Sequence, residues 1–353
     1  MKLEQIETPA LIIDESIYEK NIAAMRSLLA GKSLKLRPHY KSHKCAAIAC
    51  RQIRDGAVGM TCAKLSEAED LADAGIEDIL IANQITDPEK IMKLAYLAKK
   101  CKLTVCIDSE ENIRALSRAA SCADSTIHCY VEYEIGMCRC GVAEQKEVIA
   151  LARAIRDAEH LVFSGIQAYA GHISHEEDTA LRAEAVAKNG ARLRALLKAL
   201  RDEGLEVQAL SGGSTGTATL KAEEGLYTEL QAGSYLFMDA TYRHLDAPFE
   251  NALFVLSSVI SVKDGRTVVD AGVKTCGVDQ GLPVPKGFTV GSVGANEEHF
   301  VLSEPSVKHA VGDKVLLIPG HCCSTVNLFD KIYFVKDGKV TGRVAVSARG
   351  KSK

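Results

Sequence analysis

The feature that most constrains this fold is an alternation, repeated about eight times, of a short apolar run and a longer stretch with helical periodicity. The apolar runs fall at 34–39, 58–62, 78–82, 103–107, 127–133, 162–169, 207–210 and, briefly, 229–233. Most are continuously apolar, the mark of strands covered on both faces. The stretches between them carry helix signals. Ser66, with Glu69 three residues on, reads as a capping box opening a helix that runs to Ala74, with Gly75 as its stop. Pro88 opens the next helix in its first turn, and 176–201 is long and rich in Ala, Leu and Arg. Eight such units within about 240 residues predict an α/β fold, a (β/α)8 TIM barrel. An open doubly wound sheet is the competitor, but no G-x-G-x-x-G comes after the first run.

After about residue 245 the character changes. β-branched runs at 252–262, 266–271, 314–318, 331–335 and 340–346 read as strands, and Asp337-Gly338 as a hairpin turn between the last two. They predict a separate antiparallel β domain. The run 10–13, ahead of the first helix, can pair with it. The expected division is therefore a barrel over 14–244 and a discontinuous β domain of 1–13 with 245–353.

Composition narrows the functional classes. No apolar run approaches the ~18 residues a membrane helix needs. The opening MKLEQIETPALIID places Glu4 and Glu7 before any apolar stretch, unlike a secretory signal, so the expected location is cytoplasmic. A net charge of -3 without a basic block argues against a nucleic-acid partner. The absence of Trp, with aromatics at 5%, leaves no stacking platform for single strands. Twelve cysteines in a large chain without an export signal are expected to be free, and Cys106 and Cys129, inside apolar runs, to be buried. The C-x-C of Cys138 and Cys140 and the adjacent Cys322 and Cys323 need a separate account.

Barrel sites are built on the loops that leave the C-terminal ends of the strands. The first run ends in Arg37-Pro38-His39-Tyr40-Lys41-Ser42-His43-Lys44. Lys41 is either an amine nucleophile freed of its charge by desolvation or a solvated loop residue, and position alone leaves both open. The seventh run leads into Ser211-Gly212-Gly213-Ser214-Thr215-Gly216-Thr217 and the eighth into Gly233-Ser234-Tyr235. These loops are two tight turns or an anion cradle of backbone N–H groups and hydroxyls. Phosphate sites after strands seven and eight recur in barrels. A nucleophilic lysine facing such a cradle points to pyridoxal 5′-phosphate (PLP), held at its aldehyde and its phosphate.

Eight segments occur in order: RPHYKSHK (37–44), GMTCAKLSEAE (59–69), GMCRCGV (136–142), GIQAYAGHISH (165–175), SGGSTGT (211–217), ELQAGSYLFMD (229–239), DAGVKTCGVDQGLP (270–283) and PGHCCSTVNLFD (319–330). Through them nearly the whole chain resembles the fold-type III PLP enzymes, the alanine racemase fold, in their D-threonine aldolase / D-serine dehydratase branch. ENALF (250–254) and VSARGK (346–351) add a particular similarity to aldolases of D-threonine and 3-hydroxyaspartate.

The resemblance implies a site. Lys41 corresponds to the lysine that binds the PLP aldehyde. Arg139 corresponds to the arginine on the PLP phenolate oxygen, and Gln167 and Tyr169 to residues flanking the ring. Gly213, Ser214, Thr215, Ser234 and Tyr235 correspond to the phosphate cradle, and His175 to the proposed base on the substrate's β-hydroxyl. His39, His43 and His172 are expected to line the pocket, without assigned roles; His128, His160, His244 and His309 show no partner pattern. Cys138 stands where Asn is usual.

The branch also carries a divalent metal, zinc, manganese or magnesium, and the matching residues are His321 and Cys323. Spacing of two would set them on one face of a strand, with Cys322 turned away. An isolated His-x-Cys, without the resemblance, reads more readily as core. HCCST stands where these aldolases have HCDPT, and a thiolate there favours zinc. His-x-Cys is the form of the dehydratases, so the resemblance implies two outcomes. An aldolase releases glycine and an aldehyde from a D-3-hydroxy amino acid; a dehydratase of D-serine or 3-hydroxyaspartate yields a 2-oxo acid and ammonia. A non-catalytic PLP carrier would not need the second domain or the metal pair, and the tyrosine motif of the racemases is absent. The implied partners are a small D-amino acid and a second copy of the chain.

Overall fold

The computed structural model describes all 353 residues. They form two units. One holds Leu28–Lys41, Ala46–Gly233 and Lys351–Lys353; the other holds Met1–Ser27, Ser42–Cys45 and Ser234–Gly350. The chain opens in the second of these with β1 (Ala10–Asp14) and α1 (Glu15–Leu29).

The first unit has eight strands. They are β2 (Lys35–Leu36), β3 (Met60–Cys62), β4 (Asp78–Ile81), β5 (Lys102–Ile107), β6 (Ile127–Glu132), β7 (Leu161–Ala168), β8 (Ala209–Gly212) and β9 (Glu229–Leu230). Seven helices alternate with them: α2 (Ala46–Arg54), α3 (Leu65–Asp73), α4 (Pro88–Leu97), α5 (Glu110–Ala123), α6 (Gln145–Asp157), α7 (Thr179–Asp202) and α8 (Ala218–Glu224). All strand pairs are parallel, in the order β2-β9-β8-β7-β6-β5-β4-β3. A parallel bridge between His39 and Thr61 joins the two ends, helped by Val58 N–H donating to the Leu36 carbonyl and Thr61 N–H to that of Pro38, each at 2.9 Å. The sheet closes on itself, which is the expected barrel.

Helix starts are set by the caps. Asp87 accepts from the Lys90 amide at 3.0 Å with Pro88 behind it, and Asp178 accepts from Ala180 and Leu181. The capping box at α3 lies two residues earlier than the sequence implied. Glu67, not Glu69, closes it, accepting from the Ala63 and Lys64 amides at 2.8 and 3.2 Å. Ser66 is already helical, and its Oγ donates to the carbonyl of Lys353 at 2.8 Å. The reason is positional: the strand-to-helix loop ends at Lys64, so the third helical residue is Glu67.

The strand starts enclose a buried charge cluster. Arg37, 3% exposed, reaches Asp78 Oδ1 and Glu229 Oε1, each at 2.8 Å. Burial opposes its charge, but the two carboxylates outweigh that and hold its pKa above the ordinary guanidinium value. Arg37 opens the motif that carries Lys41, yet its work is structural, at the barrel face where stability rather than chemistry resides. Arg37→Met strands two acids around an apolar side chain. The expected cost is about 3–5 kcal/mol, read as a lower urea midpoint at unchanged slope; a loss under about 1 kcal/mol would refute the assignment.

The second unit continues with β10 (Leu253–Lys263), β11 (Arg266–Val269), β12 (Val284–Pro285), β13 (Ser292–Ala295), β14 (Phe300–Ser303), β15 (Lys314–Ile318), the short helix α9 (Cys322–Val326), β16 (Lys331–Lys336) and β17 (Lys339–Ala345). β1 is inserted between β10, antiparallel, and β16, parallel. The N-terminal run thus pairs as expected. A register shift between Val259 and Ser261 lets the long β10 pair with β1 and β15 in one half and β11 in the other. Ile6, Ala10, Ile12, Phe254, Leu256, Tyr333 and Val335 form a core cluster beneath. Asp337 and Gly338 join β16 to β17 with φ of +50° and +69°, as a type I′ hairpin requires. No helix is long and apolar enough to cross a membrane. All twelve cysteines are free, and Cys106 and Cys129 are fully buried, so burial pushes both thiols up.

Candidate active site

In the barrel unit, Lys41 lies in a tight turn, Tyr40–Ser42, beyond β2. Pro38 lacks an amide hydrogen and shortens the strand ladder, and the His39 ring takes over by accepting the Lys41 amide at 3.3 Å. Tyr40 is buried, and its hydroxyl donates to Asp70 at 2.5 Å; Lys351, in the C-terminal tail, bonds the other oxygen of Asp70 at 2.7 Å. The amine of Lys41 stands 5.8 Å from the centre of the Tyr169 ring. Arg139 approaches the same ring with its guanidinium carbon at 5.8 Å. Gly171 makes the ring position available, because a Cβ there would lie 2.7 Å from a Tyr169 ring carbon.

Arg139 is presented by a loop tied to Glu134, whose carboxylate accepts the Gly136 and Cys138 amides at 2.6 and 2.8 Å. Cys138 sits at φ +52°. Asn adopts that left-handed conformation more readily, which accounts for Asn as the usual residue. Gly136, at φ +115°, leaves room for the His172 ring, which a Cβ would meet at 2.8 Å.

At the ends of β7, β8 and β9, Gln167 pairs amide to amide with Gln231 (2.6 Å), and Gln231 also donates to Ser211 at 2.8 Å. The next turn holds Gly213 at φ +74°, then Ser214 and Thr215. Ser214 N–H donates to Thr217 Oγ1 at 3.0 Å, and Ser174 donates to Ser214 Oγ at 2.8 Å. His175, exposed and next to Ser174, is thereby tied to this turn. The Thr215 hydroxyl is buried and has no hydrogen-bond partner. A buried donor left unmet costs energy unless a ligand meets it. The turn therefore fits a phosphate, and the lysine beyond β2 fits an aldehyde, so these residues suit PLP. Thr215→Val is expected to weaken PLP retention about tenfold, the worth of one bond to a charged oxygen, and to leave stability nearly unchanged, since no partner in the chain is lost. Equilibrium dialysis checks this; unchanged retention would remove Thr215 from the cradle.

The second unit carries the remaining expected residues. Ser234 is buried with its Oγ 3.9 Å from Cys323 Sγ, and Tyr235 packs on Phe249 at 5.7 Å between ring centres. His321 and Cys323 are not on a strand. His321 is the N-cap of α9 and Cys323 lies in its first turn, so the turn rather than a pleat brings them together. Cys322 is fully buried, and its amide donates to Asp239 at 2.9 Å. Cys323 Sγ reaches Ser42 Oγ at 3.5 Å. Asp279 stands 2.7 Å from His321 Nδ1. Burial alone would lower the His321 pKa; hydrogen bonds and charge from Cys323 and Asp279 outweigh it and carry it up to about 9. An imidazole and a thiol in one turn, with a carboxylate 2.7 Å behind the imidazole, are donors of a kind that suits a cation. No group of three or more His, Cys, Asp or Glu side chains gathers to hold a metal.

Sequence reasoning missed Ser174, Ser211, Gln231, Asp239 and Asp279. Each acts by hydrogen-bonding another site residue, and only their presence inside the eight ordered segments pointed to them.

Comparison with known proteins agrees with this architecture. Residues 13–241 match the family model of the alanine racemase N-terminal domain, and 252–335 that of a putative serine dehydratase domain. The fold and its lysine-bearing barrel are thus of the alanine racemase class. The chain is 40% identical to the D-threonine aldolase of Arthrobacter sp., covering 99% of this chain and 95% of that one. It is 38% identical to the 3-hydroxy-D-aspartate aldolase of Paracoccus denitrificans, over 99% and 94%. The crystal structure of D-threonine aldolase from Filomicrobium marinum superposes with a TM-score of 0.96 at 38% identity, covering 100% of this chain and 98% of that one. Dehydratases are more distant relatives. The chain belongs to the D-threonine aldolase-like branch of the alanine racemase-fold family and is an enzyme, a lyase of a family that implies PLP.

Proposed function

We propose that the chain is a PLP- and divalent-metal-dependent aldolase that cleaves D-3-hydroxy amino acids, of the D-threonine or 3-hydroxyaspartate type, to glycine and an aldehyde. The observation that carries this reading is the approach of Lys41 and Arg139 to the Tyr169 ring, in a chain whose relatives at 40% and 38% identity are aldolases. The functional division is a cofactor-binding barrel, 14–244, and a metal-bearing domain of 1–13 with 245–353; the two family-model spans support it. The family resemblance implies a homodimer.

When bound, PLP supplies an electron sink for charge at the substrate's α-carbon, and the metal a Lewis acid for its β-hydroxyl. Lys41 anchors the cofactor by its aldehyde. Gly213, Ser214, Thr215, Ser234 and Tyr235 hold its phosphate, Arg139 its phenolate oxygen, and Gln167 and Tyr169 its ring. His321 and Cys323 hold the metal, and the thiolate favours zinc over manganese or magnesium. A cysteine-to-alanine variant of a related D-threo-3-hydroxyaspartate dehydratase is known in the metal-free form, which supports a cysteine in this role. His175 takes the proton from the β-hydroxyl. Loss of that proton drives Cα–Cβ cleavage, and protonation at Cα leaves glycine.

Cys323 also favours a second reading, a dehydratase in which Lys41 removes the α-proton and the hydroxyl leaves. Product analysis separates the two. The purified protein with PLP and zinc is expected to convert D-threonine to glycine and acetaldehyde, and to stop on chelation. A 2-oxo acid and ammonia without glycine would replace the aldolase by the dehydratase. An absorbance unchanged by D-threonine or D-serine would point to the carrier.

A further inference from the structure

A cluster of hydrogen bonds around His321 goes beyond the two proposed metal ligands. Asp279 Oδ2 is 2.7 Å from His321 Nδ1. Its other oxygen, Oδ1, accepts from Ser324 Oγ at 2.6 Å. Ser324 lies within the same α9 turn and also reaches the His321 carbonyl at 3.3 Å. The loop that carries Asp279 is locked to this turn from both sides. Gly277 N–H donates to Thr325 Oγ1 at 2.9 Å, and Thr325 Oγ1 donates to the His321 carbonyl at 2.7 Å.

Two glycines make the approach available. A Cβ on Gly277 would lie 2.0 Å from Ser324 Oγ, where the serine must stand to reach Asp279. A Cβ on Gly320 would lie 1.8 Å from the Gly281 carbonyl oxygen. Both contacts would break with any larger residue, so the loop 277–281 and the turn 320–325 are built to meet. All of these residues belong to one compact unit.

A histidine that binds a metal through one ring nitrogen usually gives its other N–H to a carboxylate, which fixes the ring and raises its basicity. The structure assigns Asp279 this part: we infer that Asp279 is a positioning residue that holds His321 by Nδ1 and leaves Nε2 for the cation, with Ser324 fixing Asp279. The inference rests on the reading of His321 and Cys323 as metal ligands.

The test is metal binding by the PLP-loaded chain after chelator treatment, titrated with Zn²⁺ by calorimetry, and with Co²⁺ followed by its visible spectrum. Asp279→Asn is expected to weaken Zn²⁺ binding about tenfold, the low end for a carboxylate behind a ligating histidine, since Asp279 is half-exposed. Ser324→Ala should weaken it a few-fold, and Asp279→Glu should restore part of the loss. The Co²⁺ spectrum should keep its sulfur-to-metal band in Asp279→Asn while the affinity falls. Zn²⁺ affinity unchanged in both Asp279→Asn and Ser324→Ala, with His321→Ala abolishing it, would overturn the positioning role alone. A loss in Asp279→Asn as complete as in His321→Ala would overturn it too, making Asp279 a ligand. If His321→Ala and Cys323→Ala both bind Zn²⁺ like the parent, the ligand reading falls and the inference with it.

Discussion

Replacing Lys41 with alanine is expected to lower D-threonine cleavage by at least about three orders of magnitude and to leave the fold intact. A residue that forms a covalent bond in every turnover acts as a unit with the groups around it, so its removal costs most of their combined effect. The backbone at this position does not depend on the lysine amine. The amide is accepted by His39, and neighbouring Tyr40 is held by Asp70. The variant should therefore show parental circular dichroism and urea midpoint. It should still bind PLP through the cradle, more weakly and without the parental visible band. Added methylamine should restore a small part of the rate, because it supplies the missing amine from solution. A Lys41→Ala enzyme within about tenfold of the parent would remove this lysine from the chemistry.

Loss of the metal should have the next largest effect. A Lewis acid on a developing alkoxide contributes several kcal/mol, and each ~1.4 kcal/mol is tenfold in rate. His321→Ala, or exhaustive chelation of the parent, is expected to reduce turnover by on the order of 10²–10³-fold. PLP retention should fall far less than turnover, because Lys41, Arg139, Tyr169 and the Gly213–Thr215 turn belong to the other unit, and of the proposed cradle only Ser234 and Tyr235 share the unit of His321. Re-addition of zinc should rescue the chelated parent and leave His321→Ala inactive. Activity that survives chelation with no metal left by elemental analysis would exclude a catalytic metal.

The barrel was legible because its strands are buried on both faces, so their apolar runs are continuous and stand out from the helices. The ends were less legible. β2 covers two residues where six had strand character, since Pro38 cannot donate to the ladder. In the β unit, β13 and β14 escaped notice. Ser292–Ala295 is short, mostly exposed and contains Gly294, so neither alternation nor apolarity marks it. The site divides in the same way. Lys41, Arg139 and His321 are proposed to act through their own side chains, and their motifs point to them. Asp279 and Asp239 act only through what they hold, 42 and 83 residues away along the chain from His321 and Cys322. A hydrogen bond across such a separation leaves no spacing to read. The Cys323 turn is the opposite case: the resemblance points to the pair, but its spacing reads as a strand pleat, because spacing alone does not distinguish a pleat from a helix N-cap.

The most direct test is borohydride reduction of the PLP-loaded protein, then proteolysis and mass mapping. Reduction makes the link between cofactor and amine permanent, so the modified residue identifies itself. The expected result is one pyridoxyl group per chain, on Lys41. A label on Lys44 or any other lysine, or no label from protein saturated with PLP, would contradict the site on which the chemistry of this enzyme rests.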